Sequence, residues 1–207
     1  MNKIITVLKD GTETVVEKAP DGVQIEWGGD NSCIKMHETV KFSNSTFKLS
    51  NNSYVEIGEN SLIRGIFLYF TVGNSFVKIG KNFIPHKSSF ILAGNNQSIT
   101  IGNDCLFAAG VDIYTSDGHT IYDSKSKKVL NNKGGNIVIG NHCWIGKDCM
   151  LSKNASLAND TMVGAKSLVN KKFDKSKVIL AGSPAKIIKK NVNWDIRHPD
   201  LFEMEVR

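Results

Sequence analysis

An aliphatic residue recurs every six positions through the stretch IGNHCWIGKDCMLSKNASLANDTMVGAKSLV: Ile139, Ile145, Leu151, Leu157, Val163 and Val169. A helix repeats about every 3.6 residues and a strand every two, so six is the period of neither. Within this stretch a small residue stands four places after each of the first five: Cys143, Cys149, Ala155, Thr161 and Ser167. One large and one small inward residue per six, with the others left for turns and solvent, describes a short strand and a corner repeated at every step. The hexapeptide period therefore predicts a solenoid of short parallel strands, a β-helix.

The pattern extends backwards less regularly, through VEIGEN at 55–60, VKIGKN at 77–82, ITIGND at 99–104 and IVIGNH at 137–142. The first three Ile-Gly pairs are 22 residues apart, and the fourth follows after 38. Cys105 again falls four after an isoleucine, so Cys105, Cys143 and Cys149 read as small interior residues. No C-x-x-C pair marks redox or metal chemistry. Upstream, VQIEW, CIKM, VKF, FKL and YVEI alternate between turn residues and fit further, ragged coils. ITVLKDGTETVVE predicts a β-hairpin about Asp10 and Gly11 that caps the open end. The apolar run GIFLYF at 65–70 suits packing between coils or between subunits. The expected organisation is all-β: a hairpin cap over 1–22, a β-helix over 23–190 with an inserted loop at 114–135, and a C-terminal tail over 191–207.

Charge is uneven. The 207 residues carry a net charge of +6, but Lys166–Lys190 holds eight lysines and one acid, Asp174, which leaves the remainder near neutral. No stacking aromatics or recognition-helix pattern accompany these lysines, which argues against nucleic acid. The N-terminal apolar patch is too short for a signal-peptide core, and no run is long enough to span a bilayer. A cytoplasmic protein with no membrane insertion is the expectation, and triplets such as Asn44-Ser45-Thr46 read as turn chemistry.

The jump from 22 to 38 residues leaves about sixteen extra positions. They lie in YTSDGHTIYDSKSKKVLNNKGG, 114–135, which is polar, basic and rich in turn formers. Insertions leave a solenoid as loops on one face, often the binding face. Within this loop stands His119, a side chain whose ordinary pKa lies near neutrality and which can act as a general base. Asp117, two residues earlier, is a candidate to orient it.

The hexapeptide run, the SDGH loop, the CWIG that follows, VGAKSLV and AGSPAKIIKK together resemble the hexapeptide-repeat acyltransferases, over roughly residues 55–194. Within that family the chain is most similar to the sugar and capsular polysaccharide O-acetyltransferases. The resemblance implies a left-handed β-helix, a homotrimer with sites between subunits, and direct acetyl transfer from acetyl-CoA to a sugar or polysaccharide acceptor, for instance sialic acid, with no metal. It places the catalytic base on His119 and a site-lining tryptophan on Trp144, whose alternative reading is a corner aromatic that only packs. It places CoA contacts on Lys147, Ala165, Asn170, Lys171, Lys186 and Lys189. One departure stands out: the segment SSFIL at 88–92 lacks the acceptor-contacting asparagine of the galactoside-type members.

Other readings stay open at this stage. The acceptor could be the amine of a nucleotide-linked aminosugar or an antibiotic hydroxyl, although the antibiotic-modifying members carry a longer acceptor loop. A zinc enzyme on the same solenoid needs three converging histidines, and His86, His119 and His142 lack that spacing. His142 itself falls at a variable outward position and is expected to be exposed. A non-catalytic scaffold would have no reason to keep both SDGH and AGSPAK.

Overall fold

A computed structural model describes residues 1–131 and 134–206. Apart from one C-terminal helix, α1 (Pro199–Val206), its regular structure is strand. The strands wind into coils stacked as a three-sided prism. Among the described residues its faces are sheets of nine, seven and six strands. A further pair, Lys41–Ser43 beside Leu62–Arg64, continues the six-stranded face toward the N-terminus.

The hexapeptide period is the trip round this prism. Ile139 pairs with Leu157 on the nine-stranded face, Ile145 with Val163 on the six-stranded face, and Leu151 with Val169 on the seven-stranded face. Three hexapeptides make one coil, so every sixth residue turns inward on a new face. All six aliphatic positions are at most 3% exposed. The small positions are at most 2% exposed, and here the fold adds something to their expected role. Cys105, Cys143 and Cys149 do more than fill space: each thiol donates to a corner carbonyl of the next coil, that of Gly140, Ala158 and Gly164, at 3.1–3.3 Å. Ser61 does the same to Gly80. The Ala158 and Gly164 carbonyls also accept from Thr161 and Ser167 of their own coil, at 2.7 and 2.6 Å, so short polar side chains of this column meet those corner carbonyls from two sides.

Corners follow from the residues after each Ile-Gly. Asn60, Asn82, Asp104, His142 and Asp160 all have φ between +53° and +58°, a left-handed conformation that Asn and Asp tolerate best. Beside them the side-chain oxygens of Asn103, Asn141 and Asn159 each accept the backbone N–H of the preceding coil's equivalent residue, at 2.8–3.0 Å. Coils are thus pinned from outside as well as within.

Both ends finish on antiparallel strands. Lys3–Val7 lies parallel to Cys33–His37 and carries the hairpin partner Glu13–Val16, turned about Asp10 and Gly11. At the other end Lys186–Lys190 folds back on Val178–Ala181. In the GIFLYF run Ile66, Leu68 and Phe70 are buried, whereas Phe67 and Tyr69 project from the seven-stranded face at 36% and 38% exposure.

Candidate active site

The inserted loop leaves the coil after Thr115 and closes its neck where the Gly135 N–H donates to the Thr115 carbonyl at 2.8 Å. Asn132 and Lys133, within the expected 114–135 insertion, lie outside the described residues. The loop is a finger with an antiparallel bridge between Tyr122 and Val129, and Asp123 closes its tip by accepting from the N–H groups of Lys125 and Ser126. His119 sits on the outgoing arm near the base, with its side chain exposed. Asp117 does not bond to the His119 ring. Its carboxylate pairs with Lys153, from the coil after the finger, and accepts from the Asn131 amide at 3.0 Å. The same Asn131 amide donates to the His119 carbonyl at 2.8 Å. The Lys153 ammonium and the Asn131 amide hold the Asp117 carboxyl below the usual carboxylate range. Asp117, Asn131 and Lys153 therefore clamp the backbone that carries His119 and leave its imidazole free of hydrogen-bond partners among the described residues.

Trp144 lies on the six-stranded face between Leu106 and Met162, and is 43% exposed. His119 and Trp144 share no contact within one chain among the described residues, and they belong to different sides of the prism. The C-terminal segment turns back along the outside to reach this region. The Trp194 indole N–H donates to the His142 carbonyl at 2.9 Å, its ring stacks on the His142 imidazole at 4.6 Å, and it lies 6.0 Å from the Trp144 ring. The exposed position expected for His142 is corrected here. Its ring is half-buried, sandwiched by Trp194 and with Nδ1 2.9 Å from Asp160. The left-handed corner turns that side chain along the stack, against the neighbouring coil.

Lys147 and Ala165 stack on one edge of the prism, where the Lys166 N–H donates to the Lys147 carbonyl at 2.8 Å. The approach is close because position 146 is glycine: a Cβ there would meet the Val163 carbonyl oxygen at 2.6 Å and the Ala165 nitrogen at 2.7 Å. The N–H groups of Lys147 and Ala165 have no partner among the described residues, and both residues are exposed, which suits a linear amide-bearing arm. Asn170 and Lys171 are exposed at the following corner, with the Lys171 ammonium 5.4 Å from the Phe173 ring centre. Lys186 and Lys189 project from the last, antiparallel strand. Lys147, Lys171, Lys186 and Lys189 enter no ion pair among the described residues, and phosphate groups suit such a set. The bond shared with Cys143, then burial, push the Cys105 thiol up and burial pushes Cys149 up, whereas the bond with Cys105 pulls Cys143 down. All three are buried, so none is open to a substrate. Among the described residues no three His, Cys, Asp or Glu side chains are grouped to hold a metal ion, and no helix is long and apolar enough to cross a membrane.

No model of a known protein family matches the chain. A polysialic acid O-acetyltransferase of Escherichia coli O1:K1 is 35% identical over 141 residues, 68% of this chain and 44% of that protein. A polysialic acid O-acetyltransferase of Neisseria meningitidis is 38% identical over 104 residues, 50% of this chain and 48% of that protein. The crystal structure of the polySia-specific acetyltransferase NeuO superposes with a TM-score of 0.74 at 27% identity, covering 96% of this chain and 80% of that one. In sequence and in fold the chain is similar to the hexapeptide-repeat acetyltransferases. Its prism is the left-handed β-helix of these acyltransferases. The aligned segments span about half the length of the two polysialic acid O-acetyltransferases.

Against the family background, three residues that frame the site had no motif to announce them. Asn131 and Lys153 act on the histidine finger from 12 and 34 positions beyond His119 in sequence. Trp194 had one readable signal, a lone tryptophan in an otherwise polar segment, NVNWDIRH.

Proposed function

We propose that this chain is an acetyl-CoA-dependent O-acetyltransferase that modifies a hydroxyl of a polysaccharide sugar. The observation that carries the reading is the clamped finger, with its backbone fixed on both sides of His119 and its imidazole left unpaired. A sugar hydroxyl is almost wholly protonated at neutral pH, and attack on a thioester needs its proton removed as the bond forms. His119 takes that proton, the hydroxyl oxygen bonds to the acetyl carbonyl carbon, the carbon–sulfur bond breaks, and the CoA thiolate leaves with the proton returned from the imidazolium. A positioned base contributes about 10²–10⁴-fold. Cys105, Cys143 and Cys149 are all buried, which suits direct transfer without an acyl-enzyme. The free N–H groups of Lys147 and Ala165 would hold the pantetheine arm, and Lys171, Lys186 and Lys189 the phosphates. The basic C-terminal end is then the CoA end.

The same proposal makes the chain a cytoplasmic homotrimer. His119 and Trp144 lie on different sides of one prism, so a site using both needs two copies. The finger exposes Ile121, Tyr122, Val129 and Leu130 at 52–63%, an apolar surface suited to a neighbouring copy.

The test is CoA thiol release from acetyl-CoA over sialic acid polymers, neutral oligosaccharides, nucleotide aminosugars and chloramphenicol. Turnover on a polysaccharide that falls about 10²–10⁴-fold in His119→Ala, with CoA still bound, is the expected result. Undiminished turnover in that variant would remove the base assignment. Co-assembly of His119→Ala with Trp144→Ala chains should restore part of the activity if sites are shared between copies; none restored would put the site within one chain.

A further inference from the structure

Between Cys33 and Tyr114 the chain carries seven lysine and arginine residues. Four of them, Lys35, Lys48, Lys78 and Lys81, pair with Glu13, Glu26, Glu56 and Glu59. Lys41, Arg64 and Lys87 have no carboxylate partner among the described residues. These three are not scattered. All lie on or beside the face formed by Lys41–Ser43, Leu62–Arg64 and Ile84–His86. Arg64, His86 and Lys87 line one open groove of about 630 Å³ with Ser43, Asn44 and Ala109, and no acid contributes to its walls. Lys87 is held over Arg64 by its N–H, which donates to the Arg64 carbonyl at 3.0 Å, and it takes the left-handed corner conformation with φ of +47°. A lysine is a costly choice for that backbone. It is occupied here where asparagine or glycine serves at the equivalent corners, Asn44 and Gly65.

The groove continues into the site already described. The same edge runs from Lys87 to Gly110, whose N–H donates to the Lys87 carbonyl, then to Asp148 beside Ala109, and on to Lys147 and Lys166. Coils rise about 4.8 Å each, so the groove begins roughly 10 Å from Lys147 along the axis. It lies toward the N-terminal end of the prism, whereas those lysines lie toward the C-terminal end. A CoA held by those lysines does not account for it.

We propose that the Arg64–His86–Lys87 groove is a binding subsite for an acidic polysaccharide, taking the carboxylate groups of residues in the polymer remote from the hydroxyl being acetylated. Arg64 offers a planar fork that fits a carboxylate, Lys87 a point charge, and His86 a ring N–H in either protonation state. Ser43 and Asn44 supply neutral hydrogen-bonding groups for sugar hydroxyls. The purpose of the binding rests on the acetyltransferase reading, whereas the binding itself does not.

The test uses the full chain and measures direct binding of a sialic acid homopolymer, with dextran as the neutral polymer and acetyl-CoA titrated separately. Wild-type chain should bind the acidic polymer and not dextran. Arg64→Glu with Lys87→Glu should weaken that binding about tenfold or more at low salt. Arg64→Gln with Lys87→Gln is the milder pair, with a smaller loss in the same direction, should charge reversal disturb folding. Lys9→Glu with Lys18→Glu changes net charge equally on the hairpin cap, outside the groove lining, and should leave polymer binding within about twofold. Equal loss in the cap variant, no loss in the groove variants, or no binding by wild type would overturn the subsite. A fall in CoA affinity in place of polymer affinity would assign the groove to phosphates and overturn it as well. If no acceptor supports thiol release while polymer binding still depends on Arg64 and Lys87, the acetyltransferase reading fails and the subsite stands.

Discussion

Between Cys33 and Ser98 the chain spends 21 or 22 residues on each trip round the prism; from Val138 it spends 18, and then 16. The wide coils put five-residue strands such as Ile66–Phe70 and Ser88–Leu92 on the seven-stranded face, where the narrow coils place Met150–Ser152 and Leu168–Val169. A wider ring encloses more volume, and interiors are packed close to crystal density. Phe47, Phe70, Phe83, Phe90 and Phe107 fill the wide part, whereas the packed core of the narrow coils uses Ile, Leu, Val, Cys and Ala until Phe173 near the end. Phe83 shows the trade most plainly. It occupies the small position of its hexapeptide, four after Ile79, and its ring meets Phe107 edge-on at 4.9 Å. The finger with His119 emerges where the two kinds of coil meet. The cation groove is built on wide coils and the proposed CoA track on narrow ones, so coil width and ligand change together.

This contrast can be broken from either side. Phe83→Ala should leave an unfilled hole in the wide part and cost about 3–5 kcal/mol in chemical denaturation. A loss below about 1 kcal/mol would mean that the wide coils collapse and are not held open by their aromatics. In the narrow part the same column should refuse bulk: Cys143→Leu should cost about 1–3 kcal/mol through overpacking. Trp194→Ala should remove about 1 kcal/mol of ring contact and release the segment after Asn191, read as early proteolytic cleavage there. Cys143→Ser should be nearly neutral, within about 1 kcal/mol, since a hydroxyl can donate to the Ala158 carbonyl as the thiol does.

The smallest effect concerns the finger between the two regions. Asp117 titrates below its ordinary value in the folded chain, so its pairing contributes order above the unfolded carboxylate pKa. That contribution disappears as pH falls through the lowered folded value. Asp117→Asn should therefore loosen the finger at neutral pH, seen as faster backbone motion by NMR at 116–131, and the difference from wild type should vanish in strong acid. A difference that persists there would mean the Lys153 pairing does not hold the finger.

The same contrast explains what could be read from the sequence. Eighteen residues are three hexapeptides, so the narrow coils print their period directly, and Ile139 to Val169 locates three faces at once. Four more residues per coil, gathered on one face and its turn, slip the hexapeptide register between Leu49 and Leu92, and Phe83 conceals the small column. His119 was visible because it interrupts a repeat. Asn131 and Lys153 were not, because they reach it through space and carry no pattern of their own. His142 misled for a related reason: an outward place in the repeat does not reveal that a segment fifty residues later returns to cover it. The basic groove was invisible for the same kind of reason, since Arg64 and Lys87 are 23 residues apart in a chain of near-neutral local charge and become neighbours only when coils stack.

The antiparallel strands at the two ends bear on how such a protein can change its length. Glu13–Val16 on the nine-stranded face and Lys186–Lys190 on the six-stranded face each present the wrong direction for another parallel coil, so on those faces a repeat added at an end, or a second molecule stacked as a fibre, meets a mismatched edge. The interior of the prism offers matched edges on all three faces for an added coil. The junction at Thr115 and Gly135 has already accepted an excursion without losing the register of Ile99 with Ile137. Lineages that differ in length should therefore differ first between the cation groove and the proposed CoA end, and so in the distance between those two sites.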